Sequence, residues 1–250
     1  MLDFYAKQKT KLYKKDFEKA HKLATISAIY SHLLFTGKAD APKIYHPLHS
    51  QRLYKYITVD SQALRGKTNA TINFGDSLTD LARPAMLEID GIYSISGSWS
   101  NHIADMARDM RPALQPYINN IKYITVGTLG GNPLLVYESY ASVITEAIKA
   151  LNEIRALYPN QKIIVYTLPP TYNIWATTHV YQFTVDIFAW AQRDKNACVI
   201  DMHKAMGDGF MNLLPTTQWS ADGVHFTPSG ARKFIKLVEK AKTTKELLVC

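Results

Sequence analysis

Five short apolar runs recur along this chain, each followed by a stretch with helical spacing. They are Ala70–Phe74, Gly91–Ile95, Ile121–Val126, Lys162–Leu168 and Cys198–Met202. Runs this short are strand-length. The stretches that follow are Ser77–Met86, interrupted by Pro84; Trp99–Met110, stopped by Arg111-Pro112; Val136–Tyr158, ended by Pro159-Asn160; and Val180–Arg193. Pro228–Lys242 closes the series with proline in its first turn. A strand that leads into a helix and then into another strand returns parallel to the first, because the helix carries the chain back. The expected fold is therefore α/β, a three-layer α/β/α domain over a mostly five-stranded parallel sheet. Such sheets place their sites in the loops at the carboxyl ends of the strands.

The first 68 residues do not follow this rhythm. The chain divides into an N-terminal helical and irregular extension, residues 1–68, and the α/β domain, residues 69–250. Within the extension, Phe17, Ala20, Leu23, Ala24, Ile26, Ile29, Tyr30 and Leu33 recur at near-helical spacing, so residues 15–35 read as an amphipathic helix. Gly37, Pro42, Pro47 and Gly66 mark residues 36–68 as an irregular connection. The apolar stretch Leu23–Phe35, followed by Ala39-Asp40-Ala41, imitates a signal peptide. Its basic lead is long and contains Asp16 and Glu18, which favours the amphipathic helix. No apolar run reaches the roughly 18 residues of a membrane span. These features favour a cytoplasmic location.

The formal net charge is +8, and its placement decides its meaning. Residues 1–23 carry seven Lys against three acids, or +4. Residues 232–250 carry one Arg and five Lys against two acids, another +4, so residues 24–231 sum to zero. Solvated helical faces account for an excess confined to the two terminal segments. The basic N-terminus leaves a contact with an acidic membrane surface open. No nucleic-acid-binding motif is present, and no nucleic-acid partner is expected. The two cysteines, Cys198 in an apolar run and Cys250, give neither a disulfide framework nor metal-ligand spacing.

Three clusters carry chemistry. Ser77, in Phe74-Gly75-Asp76-Ser77, follows an apolar run and opens a helix, which exposes its hydroxyl at a turn and frees its N–H as a helix N-terminal donor. Taken alone, Ser77 or Asp76 reads first as a helix cap, since a Gly-Asp-Ser tripeptide by itself is a weak signal. Asp76 reads as a brace for the turn, not a catalytic acid. His225 follows Asp222 by three positions across Gly223, a spacing that folds the carboxylate against one ring nitrogen and leaves the other for a nucleophile. His203, with Asp201 two residues before it, is the weaker candidate base. Asn132 stands on Gly130-Gly131, where its amide can donate to an oxyanion, although Gly-Gly-Asn-Pro also suits an ordinary turn. A phosphate loop would need a Lys-Ser/Thr that is absent. The aromatic loop Leu168–Trp175 offers Tyr172 and Trp175 as substrate-binding walls, and Trp99 and Trp219 flank the motifs.

On these residues the chain resembles the SGNH (GDSL) hydrolases. Gly75-Asp76-Ser77-Leu78 looks like the family's first block, Gly97 in Ile95-Ser96-Gly97-Ser98 like its second-block glycine, Gly130-Gly131-Asn132 like its third block, and Asp222 to His225 like its fifth. Pro133 stands where the family usually has Asp. The resemblance covers residues 70–241 and implies an SGNH, flavodoxin-like sheet. It also implies cleavage of carboxylic esters through an acyl-enzyme, with Ser77, Asp222 and His225 catalytic and the Ser77 N–H, Gly97 N–H and Asn132 amide as oxyanion donors. No metal or organic cofactor is implied. The substrate would be a small-molecule ester, a lipid or an acylated carbohydrate. An acyltransferase, or a catalytically silent binding module, is the alternative on the same fold.

Overall fold

The computed structural model describes residues 63–171, 173–207, 219–220 and 222–249. The expected helix over residues 15–35 lies outside the described residues, as does Tyr172. The strands are β1 (Ala70–Gly75), β2 (Gly91–Ser94), β3 (Ile121–Val126), β4 (Lys162–Tyr166), β5 (Ala197–Ile200) and a two-residue β6 (Leu248–Val249). They form one sheet in the order β2-β1-β3-β4-β5-β6. Every pairing is parallel. The five expected strands are all present. The sixth, β6, pairs Leu248 with Val199 and Val249 with Ile200. Two residues are too few to show periodicity, so nothing in the sequence marked it.

The helices are α1 (Ser77–Ala82), α2 (Ser100–Leu114), α3 (Gly131–Leu135), α4 (Tyr140–Leu157), α5 (Ile174–Ala191), α6 (Met202–Met206) and α7 (Pro228–Thr243). Alternation along the strands assigns them to layers. Ile163 and Val165 of β4 face a core shared with α2, α4 and α5, while Ile164 and Tyr166 face a second core shared with α6 and α7. Strands covered on both faces need apolar residues at odd and even positions alike, which explains the continuous runs in the sequence. Among the described residues no helix is long and apolar enough to cross a membrane.

Helix boundaries depart from expectation where caps and burial outweigh local signals. The expected helix Val136–Tyr158 is divided: α3 ends at Leu135, Tyr137 adopts φ 66°, and Ser139 caps α4 by accepting from the Ser142 N–H. Helix α2 runs past Pro112 to the fully buried Leu114, whose packing carries it beyond the expected stop. Helix α5 begins at Ile174, not Val180, because Asn173 accepts from the Ala176 N–H and caps it.

Strand β1 has one apolar face and one polar face. Ala70, Ile72 and Phe74 enter the first core. Thr71 and Asn73 point the other way, yet both are buried. The Asn73 amide nitrogen donates to Thr79 Oγ1 (3.0 Å) and Ser94 Oγ (2.7 Å), and its carbonyl oxygen accepts from Thr125 Oγ1 (2.7 Å). Tyr166 donates its hydroxyl to the Gly127 carbonyl (3.1 Å) and lies 3.3 Å from Thr79 Oγ1. Burial pushes the Tyr166 phenol well above its ordinary value, so it remains a neutral donor. This polar plug joins β1, β2, β3, β4 and α1 beneath the carboxyl edge. It also fixes Gly75, where an added Cβ would stand 2.3 Å from Thr79 Oγ1 and 2.4 Å from the Tyr166 hydroxyl.

Asn73→Ala removes three buried hydrogen bonds, to Thr79, Ser94 and Thr125, and is expected to lower stability by about 1–3 kcal/mol in urea denaturation. Thr71→Val is the control. Thr71 Oγ1 is buried and has no partner among the described residues, so its removal is expected to leave stability unchanged or raise it.

Candidate active site

The strand order changes direction between β1 and β3: β2 lies on one side of β1, and β3 begins the run on the other. Open α/β sheets form a crevice at this switch point. The loops leaving β1 and β3 carry Ser77 and Asn132.

Asp76 builds the first loop. Its Oδ1 accepts from the Leu78 N–H (3.0 Å) and caps α1. Its Oδ2 accepts from Thr128 Oγ1 (2.5 Å) and the Thr128 N–H (3.4 Å), across in the β3–α3 loop. Burial raises the Asp76 carboxyl above its ordinary value, against the opposing pull of those hydrogen bonds. Ser77 is then the first residue of α1, 7% exposed, with its N–H among those a helix start leaves without an intrahelical acceptor.

His225 Nε2 lies 3.0 Å from Ser77 Oγ, and His225 Nδ1 lies 2.6 Å from Asp222 Oδ2. Asp222 Oδ1 accepts from the N–H groups of Val224 (2.9 Å) and His225 (2.7 Å) and from Ser220 Oγ (3.3 Å). Burial pushes this carboxyl up. Hydrogen bonds from the His225 ring and from the backbone of His225 and Val224 outweigh burial and hold it well below the usual carboxylate range. An ionised carboxylate only accepts, so Nδ1 carries the hydrogen. In a neutral imidazole Nε2 is then the acceptor facing the serine hydroxyl. The turn is locked locally: Gly223 supplies φ 80°, Ser220 bridges Phe226, and the Thr227 N–H donates to the Trp219 carbonyl (2.8 Å). Thr227 Oγ1 in turn accepts from the Gly230 N–H and caps α7.

Asn132 sits in α3 and donates one amide hydrogen to the Ser98 carbonyl (2.8 Å), which leaves its second hydrogen for another acceptor. That bond links the β3–α3 loop to the β2–α2 turn, where Gly97 takes φ 84°. Asp80 pins the same turn, accepting from the Ser96 N–H (3.0 Å) and Ser96 Oγ (2.8 Å). Ser100 Oγ donates to the Leu129 carbonyl and holds the β3–α3 loop from the other side. Sequence reasoning did not assign tethering roles to Thr128, Asp80 and Ser100. Their partners lie far along the chain, and only the folded loops bring them together.

A cleft opens beside Ser77 and Asn132, walled by Leu78, Leu135, Leu168, Ala176 and Val180. Trp99 lines a separate neighbouring cavity with Pro133 and Glu138. Trp219 packs against the second core, and Lys233 Nζ lies 4.2 Å from its ring centroid. Trp175 falls on the first turn of α5, and its side chain lies outside the described residues. His203 lies on α6, and Asp201 caps that helix by accepting from the Lys204 N–H (3.0 Å).

No protein-family model and no curated protein sequence matches the chain. Solved structures do. A GDSL-like lipase from Bacteroides thetaiotaomicron matches with a TM-score of 0.58 at 17% identity, over 76% of this chain and 96% of its own. A Bacteroides fragilis protein described as an acylhydrolase gives 0.58 at 17%, over 78% and 97%. A Streptococcus pneumoniae protein described as a platelet activating factor gives 0.55 at 13%, over 80% and 99%. At such identities the likeness establishes the fold. This chain has the α/β/α fold of the GDSL-type hydrolases across nearly the whole length of each of these structures.

The raised Asp76 carboxyl carries a sign. A folded-state pKa above the unfolded value means the folded state holds the proton more tightly, so this group's contribution to stability falls as pH rises between the two values. Asp76→Asn removes that slope. Stepped-pH denaturation is expected to show the stability difference, native minus variant, shrinking or turning negative as pH rises through that interval. Asp76→Ala, which also removes the cap, is expected to lie about 1–2 kcal/mol below Asp76→Asn at every pH.

Proposed function

We propose that this chain is a serine ester hydrolase of the SGNH type, working through an acyl-enzyme on Ser77. The observation that carries the reading is the hydrogen-bonded series Ser77 Oγ, His225 Nε2, His225 Nδ1 and Asp222 Oδ2, with separations of 3.0 Å and 2.6 Å. Ser77 Oγ attacks the ester carbonyl while Nε2 takes its proton. The new bond pushes the carbonyl electrons onto oxygen. Asn132 Nδ2 and the N–H groups of Ser77 and Gly97 receive that oxyanion. As the tetrahedral centre collapses, the carbon–oxygen bond to the alcohol breaks, and imidazolium Nε2–H protonates the departing alkoxide. Water then repeats the sequence on the acyl-enzyme, releasing the acid and restoring Ser77. Asp222 stays ionised throughout, holding the Nδ1–H tautomer and stabilising the imidazolium. The anchored Asn132 amide supports its assignment, because a donor fixed in advance needs no reorganisation when charge develops.

Ser77→Ala and His225→Ala are expected to abolish hydrolysis of p-nitrophenyl esters to about the same extent, because the members act as a unit. A fluorophosphonate is expected to label Ser77 alone. Labelling elsewhere, or turnover by Ser77→Ala, overturns the reading. Asn132→Ala is expected to lower kcat about a hundredfold with little change in KM. A normal kcat with a raised KM would make Asn132 a ground-state binder instead.

The acid limb of the pH–rate profile is expected to reflect a single proton, taken up by His225. The Asp222 carboxyl is already held far below that range, and its protonation adds no second step. A slope of two in log rate against pH contradicts this. Adding a primary alcohol and analysing products separates hydrolysis, which gives free acid, from transfer, which gives a new ester.

A further inference from the structure

We infer that the acyl group carried by this site is short, of the acetyl class; the inference rests on the acyl-enzyme reading above. The cleft beside Ser77 and Asn132 could receive either half of an ester, and His225 decides which. The leaving alcohol must reach Nε2 to be protonated. His225 does not line this cleft, and from its turn only Val224 does. The alcohol therefore departs on the opposite side of Ser77, and the cleft receives the acyl half.

Its size then sets the chain length. The cleft holds about 20 Å³. The neighbouring cavity behind Trp99 holds about 170 Å³, so the room here is small by comparison and suits a short acyl chain. The walls offer no easy expansion. Leu168 and Ala176 are 3% exposed, Val180 is fully buried, and all three belong to the main core cluster. Widening the cleft means displacing close-packed core side chains. Leu78, Leu135, Leu168, Ala176 and Val180 give the cleft an apolar wall that suits a short alkyl group, beside the polar Thr128 and Thr171. The larger cavity behind Trp99 is lined by Glu138 and Glu146, and carboxylates disfavour an alkyl chain.

The test is a series of p-nitrophenyl acetate, butyrate, hexanoate and octanoate, with the full chain as enzyme and Ser77→Ala as baseline. The kcat/KM is expected to fall about tenfold or more from acetate to hexanoate, the scale on which a filled pocket discriminates added methylenes. Val180→Ala is expected to shift the preference toward butyrate and hexanoate. Leu168→Ala serves the same purpose if the first variant does not fold, and the unmodified protein's own series stands without either. Hexanoate or octanoate cleaved as well as acetate overturns the short-acyl inference and leaves the ester hydrolase reading intact. No turnover above the Ser77→Ala baseline with any ester removes both.

Discussion

One carboxylate holds the two halves of the candidate site together. Asp76 gives one oxygen to the start of α1 and the other to Thr128, so a single side chain spans the crevice between β1 and β3. The group is completely buried, and ionising it there is opposed by desolvation. Three donors aimed at its two oxygens make the position tolerable. Removing any of them leaves the loops less firmly tied and the carboxylate less well solvated. The distance between Ser77 and Asn132 therefore depends on a residue outside the Ser77–His225–Asp222 series.

The polar plug below extends the same logic. An aliphatic side chain at position 73 would give a more ordinary core, but it would not fix the turn above. Asn73, Thr79, Ser94, Thr125 and Tyr166 satisfy one another with directional bonds, and direction is what a hydrophobic contact lacks. Gly75 is caught between two of these hydroxyls, so the path of the chain into Ser77 is set from beneath. The opposite edge of the sheet has its own clasp: Arg155 pairs with Asp194 (2.6 Å) and donates to the carbonyls of Tyr158, Gln161 and Asn196.

The sheet was legible in the sequence because strands buried on both faces are largely apolar, and polar positions such as Thr71, Asn73 and the exposed Lys122 are too few to hide the runs. Caps were equally open to reading: Ser139 and Asn173 start their helices by a rule visible in one residue, and weighing them would have corrected both boundaries. Burial by distant partners was not open to reading. Pro112 looked like a stop until Leu114 proved to be core, and Thr71 and Asn73 look like solvent-facing strand positions although both are buried. In the site, local turns announced Ser77, Asp222 and His225. The tethers from Thr128, Asp80 and Ser100 cross between loops, and spacing along the chain carries no record of them. A large ring near a motif can also serve the core, as Trp219 does.

The acid and the base share one four-residue turn, closed on itself by the Asp222 carboxylate and by the Ser220–Phe226 bridge. Their mutual geometry is thus as secure as a local turn and independent of the sheet. The bond from His225 to Ser77, across 148 positions of chain, joins that turn to the nucleophile. Chemical competence and foldedness are consequently separate properties of this molecule. On the proposed mechanism, displacing that one turn would silence the site while every strand stays paired, so a loss of rate on heating would report the turn and not the melting of the domain.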